Sequence, residues 1–220
     1  MSHWMGHPLA YPVIVTIGAL AICLAWAPFG DSEQVAMLGA VGVCVLGYSV
    51  FRLAMAWGYV PAGVPAFEAD AVVRRVRQQH RLVSRSWLEI SGGGRTRWLP
   101  VYFDPALMTL TSARGEISGR AIEVDGERVY PAGRVRDSEP IGRLIDNPTR
   151  PAADAAELAT RAAGSGRRLL LDAQSAIAAP FAALLWIYIA GGSALTFAAA
   201  TVVAAALATW LAAIRGSDPS

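Results

Sequence analysis

Lysine is missing altogether: all 19 basic residues of the 220-residue chain are arginine. This excludes Schiff-base chemistry on a lysine amine and the lysine-dependent phosphate loop. With abundant alanine and a single asparagine, Asn147, the arginine-only usage reads as the composition of a GC-rich bacterial genome. Charge is scarce, 16% of residues against a soluble norm of about 25%, which argues against an ordinary soluble fold. A formal charge of +2 is too small to mark a nucleic-acid binder. The only two cysteines, Cys23 and Cys44, fall in apolar stretches. A disulfide framework or a cysteine zinc site is therefore not expected, and both read as buried small apolar residues. No GxSxG, HExxH, Walker A or GxGxxG occurs. His80 is the one histidine in the polar middle of the chain, and Ser84, Ser86 and Ser91 lack an evident general base. The sequence therefore predicts no enzyme, no cofactor and no metal site.

What is present is a set of long apolar runs. Residues 9–51 carry only Asp31 and Glu33, and residues 174–214 carry no charge. These runs predict membrane spans at about 11–28, 35–57, 175–190 and 195–214, since about 20 apolar residues cross the hydrocarbon core of a bilayer. Residues 1–8 have no basic n-region, so no cleaved signal peptide is expected. Arg52 lies at the end of the second span, where its side chain can reach the interface; a buried functional arginine is the alternative. Ala200, Ala204, Ala208 and Ala212 recur every four residues in the fourth span and form a helix-packing face. That face is assigned to the bundle, with a homo-oligomer contact as the alternative. Arginines cluster beside the middle of the chain and after the fourth span, while the loops at 30–34 and 191–193 have none. By the positive-inside rule both termini and the middle segment face the cytoplasm of a bacterial inner membrane.

The middle segment, 68–172, holds 17 of the arginines and 14 acids. Residues 61–83 read as a linker and a basic amphipathic helix, in which Ala69, Val72, Val73, Val76 and Val83 follow helical spacing. Arg74, Arg75, Arg77, Arg81 and Arg85 would then contact the membrane surface or an anion. Residues 84–150 read as a β domain: a hairpin over 84–103 turning at 91–96, a strand at 107–111, and further strands around the Asp125-Gly126 turn signal. An irregular strap at 137–151 and a helical connector at 151–172 complete the segment. Arg97, Trp98, Tyr102, Arg134 and Arg136 form a second candidate set, a face for a protein partner. Trp87, Trp98, Tyr102 and Phe103 read more naturally as core.

The predicted fold class is an α-helical integral membrane protein with four transmembrane helices (2+2) and an inserted small antiparallel β domain, a barrel or sandwich. The expected partners are the lipid bilayer and a protein, with no nucleic acid. The expected role is a non-enzymatic accessory or scaffold subunit of a transport or envelope-assembly complex. Anionic lipid or ligand sensing at the cytoplasmic surface is the alternative, and a membrane-surface enzyme comes third.

Overall fold

A computed structural model describes residues 6–64, 71–110, 112–118, 120–146 and 154–220. Helix α1 (Ala10–Trp26) continues as a 3-10 turn, Ala27–Phe29, in which Pro28 stops the α-helical ladder. Asp31 opens α2 (Ser32–Ala56): its carboxylate accepts the Gln34 N–H at 2.9 Å, satisfying one of the N–H groups that a helix start leaves without a partner.

Seven antiparallel strands follow: β1 (Val72–His80), β2 (Val83–Gly92), β3 (Arg95–Val101), β4 (Ala113–Ser118), β5 (Ala121–Val124), β6 (Glu127–Val129) and β7 (Arg143–Asp146). They form one sheet in the order β3-β2-β1-β4-β5-β6, with β7 also on β1. The second edge of β1 is shared, β4 pairing at Val72 and Val73 and β7 at 76–79. The β2–β3 and β5–β6 hairpins each turn through two consecutive left-handed residues, Gly93-Gly94 and Asp125-Gly126, the geometry that matches strand twist.

Four expectations are corrected here. The basic helix is the strand β1; residues 65–70 of that prediction lie outside the described residues. Positions three apart on a strand fall on opposite faces, and this sheet buries both. Val73 packs with Leu88, Leu99, Val101 and Val124 on one face, and Val76 with Trp87 and Trp98 on the other. Valines on two buried faces imitate a helical stripe, and their β-branching favours the strand. In place of the predicted strand at 107–111 there is a 3-10 turn, Pro105–Thr109, capped by the Asp104 carboxylate on Ala106 N–H at 2.9 Å; residue 111 lies outside the described residues. The predicted strap contains β7, while residues 147–153 lie outside the described residues. The sheet is open, not a closed barrel or a sandwich. The outer edge of β3 takes single bridges to the following chain, Trp98 with Arg136 and Val101 with Pro131, and does not meet β6.

Helix α3 (Ala155–Ala163) ends at Gly164, and α4 (Ser165–Ala173) runs through a 3-10 turn, Gln174–Ala178, into α5 (Ala179–Ala190). Gly191 and Gly192, both left-handed, lead to α6 (Ala194–Ile214), which a Ser193/Thr196 capping box starts. Among the described residues, four helical stretches are thus long and apolar enough to cross a membrane: Ala10–Phe29, Ser32–Ala56, Ser165–Ala190 and Ala194–Ile214. The third begins ten residues before the expected start at 175.

Helix α6 packs against α1 and α5, and α2 packs against α1. Near the sheet the bundle closes on Val45, Trp210 and Ile214, with the Trp210 indole donating to Ser49 Oγ at 3.0 Å. At the far end it opens into an apolar cavity of about 530 Å³ lined by residues of α1, α2, α5 and α6. Ala212 of the alanine stripe is buried, whereas Ala200 and Ala204 line this cavity, so the stripe is only partly packed. Cys23 is buried as expected, but Cys44 is exposed on the bundle surface.

Candidate anion site at the junction of bundle and sheet

Both described chain ends reach the sheet. At the N-terminal side, His7 stacks on Trp57 and lies beside Tyr130, its Nε2 at 3.0 Å from the Tyr130 hydroxyl. The Leu9 N–H donates to His7 Nδ1 at 3.2 Å, so that nitrogen carries no proton. Burial lowers the imidazole pKa, Asp104 opposes the shift and Arg128 adds to it. Arg128 lies over the rings of both Trp57 and Tyr130. His7 and the Tyr130 hydroxyl are bonded to each other, Arg128 stacks on the rings with its buried Nε lacking a hydrogen-bond partner, and the cluster reads as a seal.

At the C-terminal side, α6 ends below β3, where the Tyr102 hydroxyl donates to Ile214 O at 2.8 Å. Burial pushes that phenol pKa up to about 12. Gly216, left-handed, turns the chain along β2: Ser217 bridges Arg85, and the Asp218 N–H donates to Ser84 O at 2.9 Å. The Asp218 carboxylate accepts from Arg75 Nη2 at 2.5 Å, Ser86 Oγ at 2.6 Å, and Ser220 N and Oγ at 2.9 and 2.6 Å. Burial alone would raise its pKa, but the Arg75 charge and the hydrogen bonds outweigh burial and hold it low. Next to it, the Tyr11 and Ser217 hydroxyls donate to Asp172 Oδ2 at 2.6 and 2.8 Å, tying α1, α4 and the tail together.

A different arrangement stands elsewhere at this junction, where α2 and α6 end against the sheet. Arg52 near the end of α2, Arg85 of β2, Arg136 bridged to Trp98 of β3 and Arg215 after α6 converge. Burial lowers the Arg85 pKa first, and the charges of Arg215, Arg52 and Arg136 then lower it further. Tyr48 Oη accepts from Arg52 Nη1 at 3.2 Å and Arg215 Nε at 3.4 Å, and the Ala132 carbonyl accepts from Arg52 Nη2. The buried Nε atoms of Arg52 and Arg85 have no hydrogen-bond partner. Among the described residues, no carboxylate lies within ion-pair distance of any of the four. Four like charges, two of them with an unused in-plane donor, make a site complementary to a multivalent oxyanion, because guanidinium forks match phosphate oxygens.

The predicted anion contacts are therefore divided. Arg74 pairs with Glu89 and Asp146, Arg75 is consumed by Asp218, Arg77 is half-buried on β1, and Arg81 sits exposed in the β1–β2 turn. Of that set only Arg85 joins the cluster. The predicted partner face divides too. Trp98 and Tyr102 are 7% and 0% exposed and belong to the core, as do Trp87 and Phe103. Arg97 faces Asp137 at 3.4 Å, Arg134 is exposed, and Arg136 crosses the Trp87 ring into the cluster. Sequence reasoning did not single out Arg215 as a ligand. Its signal is positional, since Arg52 and Arg215 both stand where an apolar run meets the polar segment. Among the described residues no group of three His, Cys, Asp or Glu side chains could hold a metal ion. No family model, curated protein or solved structure matches the chain.

Proposed function

We propose that the protein is a four-span membrane protein that binds the phosphate-bearing headgroup of an anionic phospholipid at Arg52, Arg85, Arg136 and Arg215. The sheet and both chain ends lie on the cytoplasmic side of a bacterial inner membrane in this reading, in keeping with the distribution of arginine around the spans. The observation that carries it is the convergence of four arginines, without a paired carboxylate, where two apolar helices end. At that level a lipid phosphate is the most abundant anion, and each basic group near an anionic leaflet contributes about 1 kcal/mol. Binding is preferred to the accessory role toward a protein partner because Trp98 and Tyr102, the aromatic anchors which that role would use, lie in the core.

The test is native mass spectrometry of the full chain in mild detergent, titrated with phosphatidylglycerol or phosphatidylcholine. Anionic lipid is expected to bind at least about tenfold more tightly, equivalent to about 1.4 kcal/mol. The preference should vanish in R85Q/R215Q. Equal binding of the two lipids by the wild type rejects the site.

A further inference from the structure

Arg168 poses a separate problem. It is 5% exposed, and its Nε and Nη2 are buried with no hydrogen-bond partner. Its guanidinium stacks on the Tyr11 ring at 4.0 Å and lies 5.6 Å from the Phe103 ring. Such stacking uses the faces of the cation and leaves its in-plane N–H groups unsatisfied. Asp172, one turn along α4, does not take them: its Oδ2 accepts from Tyr11 and Ser217, and no ion pair to Arg168 forms. The Asp172 and Asp218 carboxylates act on Arg168 only from beyond ion-pair distance, and a buried cation without a counter-ion in contact is among the costliest groups a fold can carry.

Arg168 borders a small niche. Its walls include His7, Tyr11, Phe103, Pro105 and Ser165, and its volume is about 20 Å³. That is room for one water-sized particle. The niche also meets the start of α4, whose first α-helical bond is Arg168 N–H to Gly164 O at 3.1 Å and whose N-cap, Gly164, offers no side chain. The N–H groups of a first helical turn have no acceptor within the helix, and their dipoles favour negative charge. A buried guanidinium with spare donors, an uncapped helix start and a single-particle cavity thus meet at one point.

We propose that this niche binds a small monovalent anion of halide size, which serves as counter-ion to Arg168 and locks α4 and α1 to the turn at 103–105. The volume selects against phosphate and sulfate, so the site is chemically distinct from the four-arginine cluster. Binding to the folded state alone raises the unfolding midpoint with ligand concentration.

The experiment is thermal unfolding of the full chain in mild detergent, in sodium chloride or sodium bromide against sodium gluconate at equal ionic strength. A saturable rise of the midpoint by several degrees is expected in chloride and bromide and not in gluconate. R168M should lose that rise, while R85Q, in the other cluster, should keep it. Because R168M could fail to fold, A163V is paired with it: it narrows the niche at the end of α3 and leaves the charge in place, and it should lose the rise as well. Anomalous scattering from wild-type crystals grown in bromide should give a peak beside Arg168. Equal midpoints in chloride and gluconate, a rise kept by R168M, or bromide-soaked crystals without that peak would each overturn the proposal and leave the niche to water.

Discussion

Replacing Asp218 by asparagine tests whether the tail is a structural part of the sheet. The substitution keeps the shape of the side chain and removes its charge. Arg75, 3% exposed, would lose the carboxylate that accepts from its Nη2 while keeping its bonds to Ser86 and Ser220. Breaking a buried pair on one side costs about 3–5 kcal/mol, because the remaining ion stays desolvated. Replacing both partners by apolar residues, R75M/D218L, should recover most of that loss, since well-packed hydrophobic substitutes for a buried pair are often neutral. Pulse proteolysis with trypsin in a urea series at fixed detergent concentration isolates the sheet. The chain has no lysine, and 17 of its 19 arginines lie between residues 68 and 172. Cleavage therefore reports almost entirely on that segment. The pH dependence has a definite sign. A carboxyl whose folded pKa is depressed contributes stability that is complete above its unfolded value of about 3.9 and lost as pH falls through the folded value. The Asp218 component of wild-type stability should thus be lost only in strong acid, and D218N should lack that component. A D218N midpoint within about 0.5 kcal/mol of wild type, the range of an ordinary surface substitution, would refute the buried-pair argument. A double variant as unstable as the single one would refute it equally.

Two further outcomes follow from the same junction. At Gly216 a Cβ would lie 2.7 Å from the Ala132 Cβ and 3.2 Å from Val101 O, on a backbone with φ of 80°. G216A should therefore cost about 2–4 kcal/mol, combining left-handed strain with overpacking; tryptic cleavage after the exposed Arg215 should accelerate, and an unchanged rate would exclude the tight turn. His7, whose imidazole pKa burial lowers, contributes stability that is complete above about pH 6.5 and is lost as pH falls through the folded value. Hydrogen exchange of the 6–12 segment, corrected for intrinsic rate, should rise between pH 7.5 and pH 5 (roughly a unit or more either side of the unbound value); H7F should abolish the difference, and a flat wild-type profile would contradict it.

The four apolar helices and the two hairpins were legible in the sequence because each rests on a local signal. The helices follow from runs without charge, and the hairpin at Asp125-Gly126 from two residues that tolerate left-handed backbone. The strand β1 was not legible. Val73 and Val76 satisfy helical spacing and also a sheet buried on both faces, and only the partners Ile90 and Trp87 decide between them. The turn at 105–109 was misread for the opposite reason. Its apolar run suggested a strand, while Asp104-Pro105, a cap followed by a residue with fixed φ, carried the better signal. The candidate site was legible least of all. Arg52, Arg85, Arg136 and Arg215 come from four separate elements, and their sequence neighbours give no hint that they meet.

What distinguishes the arginines of this chain is whether an acid was placed opposite them. Arg74 and Arg75 have Glu89 and Asp218, and those pairs hold the sheet together. Arg52, Arg85, Arg128 and Arg168 have none within ion-pair distance among the described residues, and each keeps a buried N–H without an acceptor. The protein supplies other partial compensation at these sites: the Tyr48 hydroxyl and the Ala132 carbonyl for Arg52, and aromatic faces for Arg168. Carbonyls and rings lower the cost of burying a guanidinium but do not cancel its charge. A negative group from outside the chain does cancel it. The Arg52–Arg85 group and Arg168 both lie where the apolar helices meet the sheet, the first beside the exposed Arg136 and Arg215 and the second at a niche closed to the size of a single ion. The two sites therefore call for anions of different size, and the lipid titration and the halide series test them independently.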